Sequence, residues 1–184
     1  MNDTTLYAVI AAAVLAVIAL AAWANARRKR SAALASTFGG EYDRAVKEYG
    51  GTARAEKELA ARGRRFERAH LRGLTPADRD RFLVLWQSAQ SRFVDSPKLA
   101  IQEADRLVEE VMHARGYPTG DRAQRLADVA IGHPHLLDHY RDSCDLAHRS
   151  HDGAVETEGL RQAMVHYRAL FEDLLETTPV ARTA

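Results

Sequence analysis

Hydrophobic and polar positions divide this chain into three regimes. From Leu6 to Ala24, nineteen consecutive residues carry no charge, and apolar side chains occupy every face that a helix there presents. At about 1.5 Å per residue such a helix reaches roughly 28 Å, close to a bilayer core of about 30 Å. A buried helix of a soluble protein normally keeps a polar face, so the pattern predicts a transmembrane helix over 6–26. Beyond it, SAALASTFGG (31–40) is a low-charge connector whose Ala-rich half can prolong the span until Gly39 and Gly40 break it. Residues 41–72 are helical in pattern but thinly apolar. In TARAEKELAARGRRFERAH only Leu59 and Phe66 are large apolar residues, and Gly63 weakens the centre by about 1 kcal/mol relative to Ala. This predicts a solvated, charged helical stalk.

The third regime, 73–176, has wide apolar faces and clear punctuation. Thr75 as N-cap and Pro76 at the first helical position open a helix whose Phe82, Leu85, Trp86, Ala89 and Phe93 share one face. Ser96-Pro97 opens the next in the same way, with Ile101, Ala104, Leu107, Val108, Val111 and Met112 inward, before Gly116 and Pro118 close it. A short helix near Asp121–Ala130 follows. His133-Pro134 opens another, with Leu136, Leu137, Tyr140, Cys144 and Ala147 inward. The last carries the strongest stripe: Leu160, Ala163, Met164, Tyr167, Leu170, Phe171, Leu174 and Leu175. No segment alternates with period two, so no strand is expected. The fold class is all-α: an N-terminal transmembrane helix, a charged helical stalk and a bundle of about four main helices. A short extracytoplasmic tail (1–5), a basic flank and linker (27–40) and a fraying tail (177–184) complete the division.

Charge sharpens this picture through its distribution, since the net value is only +1 and favours no polyanionic partner. Residues 26–72 hold 13 Lys and Arg against 6 Asp and Glu; residues 73–184 hold 13 against 18. Arg27, Arg28, Lys29 and Arg30 directly follow the apolar run, and only Asp3 precedes it. A secretory signal has the opposite order, with a positive region before an apolar stretch of about 7 to 15 residues. Cations stay on the cytoplasmic side, so the expected topology is amino terminus out and body in the cytoplasm of a single-pass cell-membrane protein, a signal anchor. Tyr7 and Trp23 sit where aromatic rings favour headgroups. Each cation near an anionic leaflet contributes about 1 kcal/mol, which makes Trp23, Arg27, Arg28, Lys29 and Arg30 the candidate contacts with lipid headgroups. Ala24-Asn25-Ala26 keeps an alternative open: cleavage near Ala26 and a secreted or outward-facing envelope protein. The lone Cys144 excludes an intramolecular disulfide and is compatible with a reducing compartment.

Candidate chemistry is sparse. His133, His135, Asp138 and His139 lie close together, with His148 and His151 further on. On one helix His135 and His139 are i, i+4 neighbours beside Asp138, so these three are the candidate metal ligands and, by extension, the basis of a metal-binding enzyme. The plainer reading has His133 capping its helix and the others on a wet face, with no HExxH or paired-Cys spacing to support zinc. Cys144 has Asp142 and Asp145 beside it, which raises a thiol pKa and disfavours nucleophilic use. No phosphate-binding glycine motif is present, no cofactor and no small-molecule substrate is indicated, and no catalytic residue is assigned. The Arg54, Arg62, Arg64, Arg65, Arg68 and Arg72 series is interleaved with Glu56, Glu58 and Glu67 and lacks stacking aromatics, which favours internal ion pairs over nucleic acid.

FGGEYDRAV, RFVDSP, ADRLVEEVM, ARGYP, GHPHLLDHYR and LRQAMVHYRALFEDLL occur in an order that resembles a family of small uncharacterised bacterial, mainly actinobacterial, single-pass membrane or secreted proteins. The resemblance runs from about Phe38 to Leu175. It implies a small bacterial membrane or secreted protein and carries over no catalytic or binding residue. Two departures stand out: that family is expected to have Pro at the place of Gly40, and its segment ending at Tyr140 is more acidic and less His-rich. The functional expectation is a membrane-anchored helical interaction or scaffold protein, with a protein partner or a second copy as its target and no catalytic activity.

Overall fold

The computed structural model describes residues 3–118, 120–151 and 155–176. Among them every regular element is helical. The order is α1 (Asp3–Phe38), α2 (Gly40–Glu48), α3 (Thr52–Arg68), α4 (Pro76–Arg92), α5 (Pro97–Ala114), α6 (Arg122–Gly132), a 3-10 turn at Pro134–Leu136, α7 (Leu137–His151) and α8 (Thr157–Glu176). The expected fraying of 177–184 lies outside the described residues, as do Met1 and Asn2. The helix of α1 already includes Asp3 to Thr5, part of the expected tail.

The punctuation of the distal part acts as anticipated, with two refinements. The Thr75 hydroxyl accepts the Asp78 amide at 3.1 Å and donates to its carboxylate at 2.7 Å, so one residue satisfies an orphan donor and holds the first-turn charge. Asp121 caps α6 in the same manner, accepting the Gln124 amide at 2.8 Å. Ser96, by contrast, makes no capping bond through its side chain, and Pro97 alone starts α5. His133 is not a side-chain cap either: it ends α6 and is buried. α5 closes at Gly116, with φ +83°, and a Cβ there would meet the His70 carbonyl oxygen at 2.5 Å. Only glycine lets the segment after α3 lie this close, where Arg72 bonds to the Arg115 and Ala114 carbonyls.

α8 lies between α5 and α7 and contributes Leu160, Ala163, Tyr167, Leu170, Phe171 and Leu174 to the core. α4 packs on α5 and also reaches α8, the Trp86 ring stacking on Phe171 with centroids 4.6 Å apart. Of the α4 face expected inward, Phe82, Trp86 and Ala89 are buried, but Leu85 is 38% exposed because α4 covers the body from its edge.

The solvated stalk expected over 41–72 is corrected. α2 folds back on α3, and α3 packs on α6 and α1, so that Ala45, Ala55 and Leu59 join the core. Phe38, read as linker, is 1% exposed. The packing works through small residues: Gly63 sits under the Phe38 ring, where a Cβ would lie 3.9 Å from Cζ. Arg62 is buried as well, held by Glu58 and by the Tyr49 hydroxyl at 2.9 Å.

Candidate functional site

Three places concentrate the residues singled out by sequence. The first is the junction between the apolar part of α1 and the body. α1 is unbroken through Ala24, Asn25 and Ala26 to Phe38, and Gly39, with φ +50°, makes the turn into α2. Among the described residues the apolar side chains before the flank are exposed: Leu15, Val17, Ile18, Leu20 and Trp23 are all more than half exposed. Within Ala11–Phe38 the helix is long and apolar enough to cross a membrane, and no residue of its most apolar window is buried. The Arg27 guanidinium lies over the Trp23 ring, 5.7 Å from its centroid, so the aromatic and the first cation of the flank form one unit. Arg28, Lys29 and Arg30 are exposed. One residue further, Ser31 donates to Glu56 at 2.6 Å, and Tyr42 donates to the same oxygen at 2.9 Å. These bonds, with the charge of Arg27, hold the Glu56 carboxyl below its usual range. The flank therefore leads directly into the body.

The second place is the histidine segment, and the structure disperses it. His135 lies in the 3-10 turn and not on α7, so it has no i, i+4 relation to His139. Its Nε2 is 4.0 Å from Asp173 Oδ1. Asp138 accepts from Arg141 at 2.6 Å, and His139 packs against the His166 ring with centroids 4.4 Å apart. Each of the three candidate ligands thus meets a different partner, and among the described residues no group of three or more His, Cys, Asp or Glu side chains is arranged to hold a metal ion. The His151 side chain lies outside the described residues. His133 instead forms a buried chain: the Tyr117 hydroxyl donates to Nε2 at 2.6 Å, and Nδ1 bonds to Asp173. Burial lowers the His133 pKa despite Asp173 and raises Tyr117 to about 12, so both stay neutral and the chain ties the α5–α6 connection to α8. Beside it Arg115, 1% exposed, donates to the Leu174 carbonyl at 2.7 Å and places a cation at the C-terminal end of α8.

The third place is a cleft of about 420 Å³ among α5, α6 and α7, with Asp105, Glu109, Arg122, Arg125, Cys144 and His148 on its walls. Arg125 reaches Asp105 at 3.8 Å, Glu109 at 3.1 Å and the Tyr140 hydroxyl at 3.2 Å. Tyr167 donates to Asp105 at 3.1 Å, and the Cys144 thiol lies 3.8 Å from the same oxygen. The thiol pKa is pushed up to about 11, by burial first and by Asp105 second. The expected direction is right and its expected cause is not: Asp145 turns away to Arg122 and Arg44. A protonated, buried thiol whose polar neighbours satisfy one another is an internal lock and a poor nucleophile.

Asp105, Tyr117, Asp173 and Arg115 were not legible as a set, because their partners lie on other helices. No protein-family model matches the chain, and neither a curated protein nor a solved structure shows significant similarity to it.

Proposed function

We propose that the chain is a single-pass, membrane-anchored helical interaction module: α1 spans the cell membrane with its amino terminus outside, and the helices from α2 onward form a bundle-like cytoplasmic body that engages a protein partner or a second copy. The observation that carries this reading is the exposed apolar surface of α1 from Ala11 to Trp23, which is followed by the cations Arg27 to Arg30. Water does not tolerate a contiguous surface of that kind, whereas lipid does, and the cations select the cytoplasmic side. A non-catalytic body agrees with its polar chemistry, which is turned inward at both the His133 chain and the Cys144 cleft. Leu83, Val84 and Leu85 on α4 are the exposed apolar residues where a protein partner is expected to bind. The resemblance of its motif order to small actinobacterial membrane or secreted proteins is part of this proposal and would fit the same role.

A cleaved, outward-facing form is the competing reading. It is disfavoured because Ala24 to Ala26 lie inside an uninterrupted helix rather than at an extended, cleavable segment. A fluorescent protein that matures only in the cytoplasm, fused after Ala184, separates the two. Bright cells with a full-length chain in the membrane pellet are expected; dark cells with a chain beginning near Arg27 would overturn the proposal. Metal analysis of the purified full chain tests the histidine segment, and stoichiometric metal would reopen the enzyme reading.

A further inference from the structure

The body is joined to α1 in a register that brings a second set of cations to the level of the first. Glu56, in the second turn of α3, accepts from Ser31 at 2.6 Å and feels the charge of Arg27. Seven residues along each helix, Gly63 of α3 lies under Phe38 of α1. The two helices therefore advance in the same sense, and the start of α3 sits beside the basic flank while its end points away from it. Helical side chains lean toward the helix N-terminus, which for α3 is the flank end. Its inner side holds Ala55, Leu59 and Arg62, leaving Arg54 and Lys57 exposed, with no ion pair to either among the described residues. The one carboxylate between them, Glu56, is already engaged by Ser31 and Tyr42. Arg54 and Lys57 thus add their charge to that of Arg27 to Arg30 at one level along the two helices.

Resting on the membrane-anchored reading above, we propose that the first two turns of α3 are a second lipid-binding surface: Arg54 and Lys57 contact the phosphate-bearing headgroups of the same anionic leaflet as Arg27 to Arg30. The body then lies against the membrane in one orientation, with α3 as a strut. It does not swing on a tether.

Full-length protein in phosphatidylcholine vesicles containing phosphatidylglycerol tests this. A maleimide dye is placed at Ala53→Cys or, in a parallel sample, at Asn25→Cys; Cys144, buried and with its thiol pushed up, does not compete. Energy transfer is then compared between headgroup-tagged phosphatidylglycerol and equally abundant headgroup-tagged phosphatidylcholine. Position 53 should transfer strongly and prefer the anionic lipid, by about fivefold for each cation engaged. Arg54→Gln with Lys57→Gln should abolish that preference at position 53 and leave it intact at position 25; both sites are exposed, so the fold is expected to survive. Molar salt should weaken the preference at both positions. Equal transfer to both lipids from position 53, or selectivity that survives the double substitution, overturns the proposal while leaving the anchor standing. Absence of transfer from position 25 overturns the anchor reading and this proposal with it.

Discussion

α1 and α8 are both rich in apolar side chains, yet only α8 finds protein to pack against along its length. In α8 the large residues recur at three- and four-residue intervals, so Leu160, Tyr167, Leu170, Phe171 and Leu174 share one side and disappear into the body. The opposite side carries the exposed pairs Glu158–Arg161 and Arg168–Glu172. In α1 the apolar residues surround the axis, and Val14, Leu15, Val17, Ile18 and Leu20 all remain exposed. A single protein surface covers only one side of a helix, whereas lipid covers all of them. Angular distribution, more than apolar content, separates a helix that builds a core from one that is suited to a membrane.

The sharpest way to break this comparison is a pair of substitutions, one in each helix. Phe171→Ala removes the ring stacked on Trp86 and should cost about 3–5 kcal/mol of stability, read by denaturant titration of the detergent-solubilised full chain. Ile18→Arg should leave that titration unchanged and instead penalise membrane insertion by about 2.5–3.5 kcal/mol. Equal loss of body stability from both would show that α1 packs on protein after all. A smaller effect is expected from Arg115→Met, which strips the C-terminal end of α8 of its buried cation and unpairs the Leu174 carbonyl, at about 2–3 kcal/mol. A melting curve unmoved by this change would remove Arg115 from the account of α8.

Asp128 sharpens the comparison from α6, the helix on which α3 and α1 pack: its side chain is 0% exposed and accepts from Gln124 at 2.7 Å. Burial raises its pKa from 3.8 to about 7. The fold therefore accepts the protonated form: the contribution is complete below the ordinary carboxylate range and is lost as pH rises through about 7. Asp128→Asn should raise the melting temperature at alkaline pH, by the equivalent of about 2 kcal/mol, and leave it nearly unchanged in acid. His133 has the opposite sign, since its lowered pKa makes stability fall as pH drops below the usual imidazole range. The pH slope that survives in Asp128→Asn should accordingly be reversed; a slope identical to the parent's would refute the assignment. The smallest change is Thr75→Ala, expected to cost about 1 kcal/mol through loss of the α4 cap while leaving membrane association untouched.

Much of the distal architecture was readable because its signals are local. Thr75-Pro76, Asp121 and Gly116 mark helix ends through chemistry confined to one turn, and the stripes of α5, α7 and α8 follow from periodicity alone. The solvated stalk expected over 41–72 fails because the contacts there use Ala45, Ala55 and Gly63, residues too small to register as a hydrophobic face. Close approach of helix backbones makes such residues valuable. The His133 chain escaped for another reason: Tyr117, His133 and Asp173 come from three separate segments and share no spacing. The candidate metal ligands were grouped on the assumption of one regular helix, and the 3-10 turn at Pro134–Leu136 rotates His135 out of that register.

What the sequence determined by itself was the all-helical class, the uncharged run of α1 and the cationic flank that follows it, since these depend on propensity, periodicity and the order of charges along a line. Tertiary structure alone decided that the flank continues into the body through Ser31, Glu56 and Phe38, that burial and then Asp105, rather than Asp145, raise the Cys144 thiol, and that the histidines face different partners. Those outcomes depend on which helices become neighbours, and neighbours are selected by the summed burial of many small contacts that no local stretch of chain encodes.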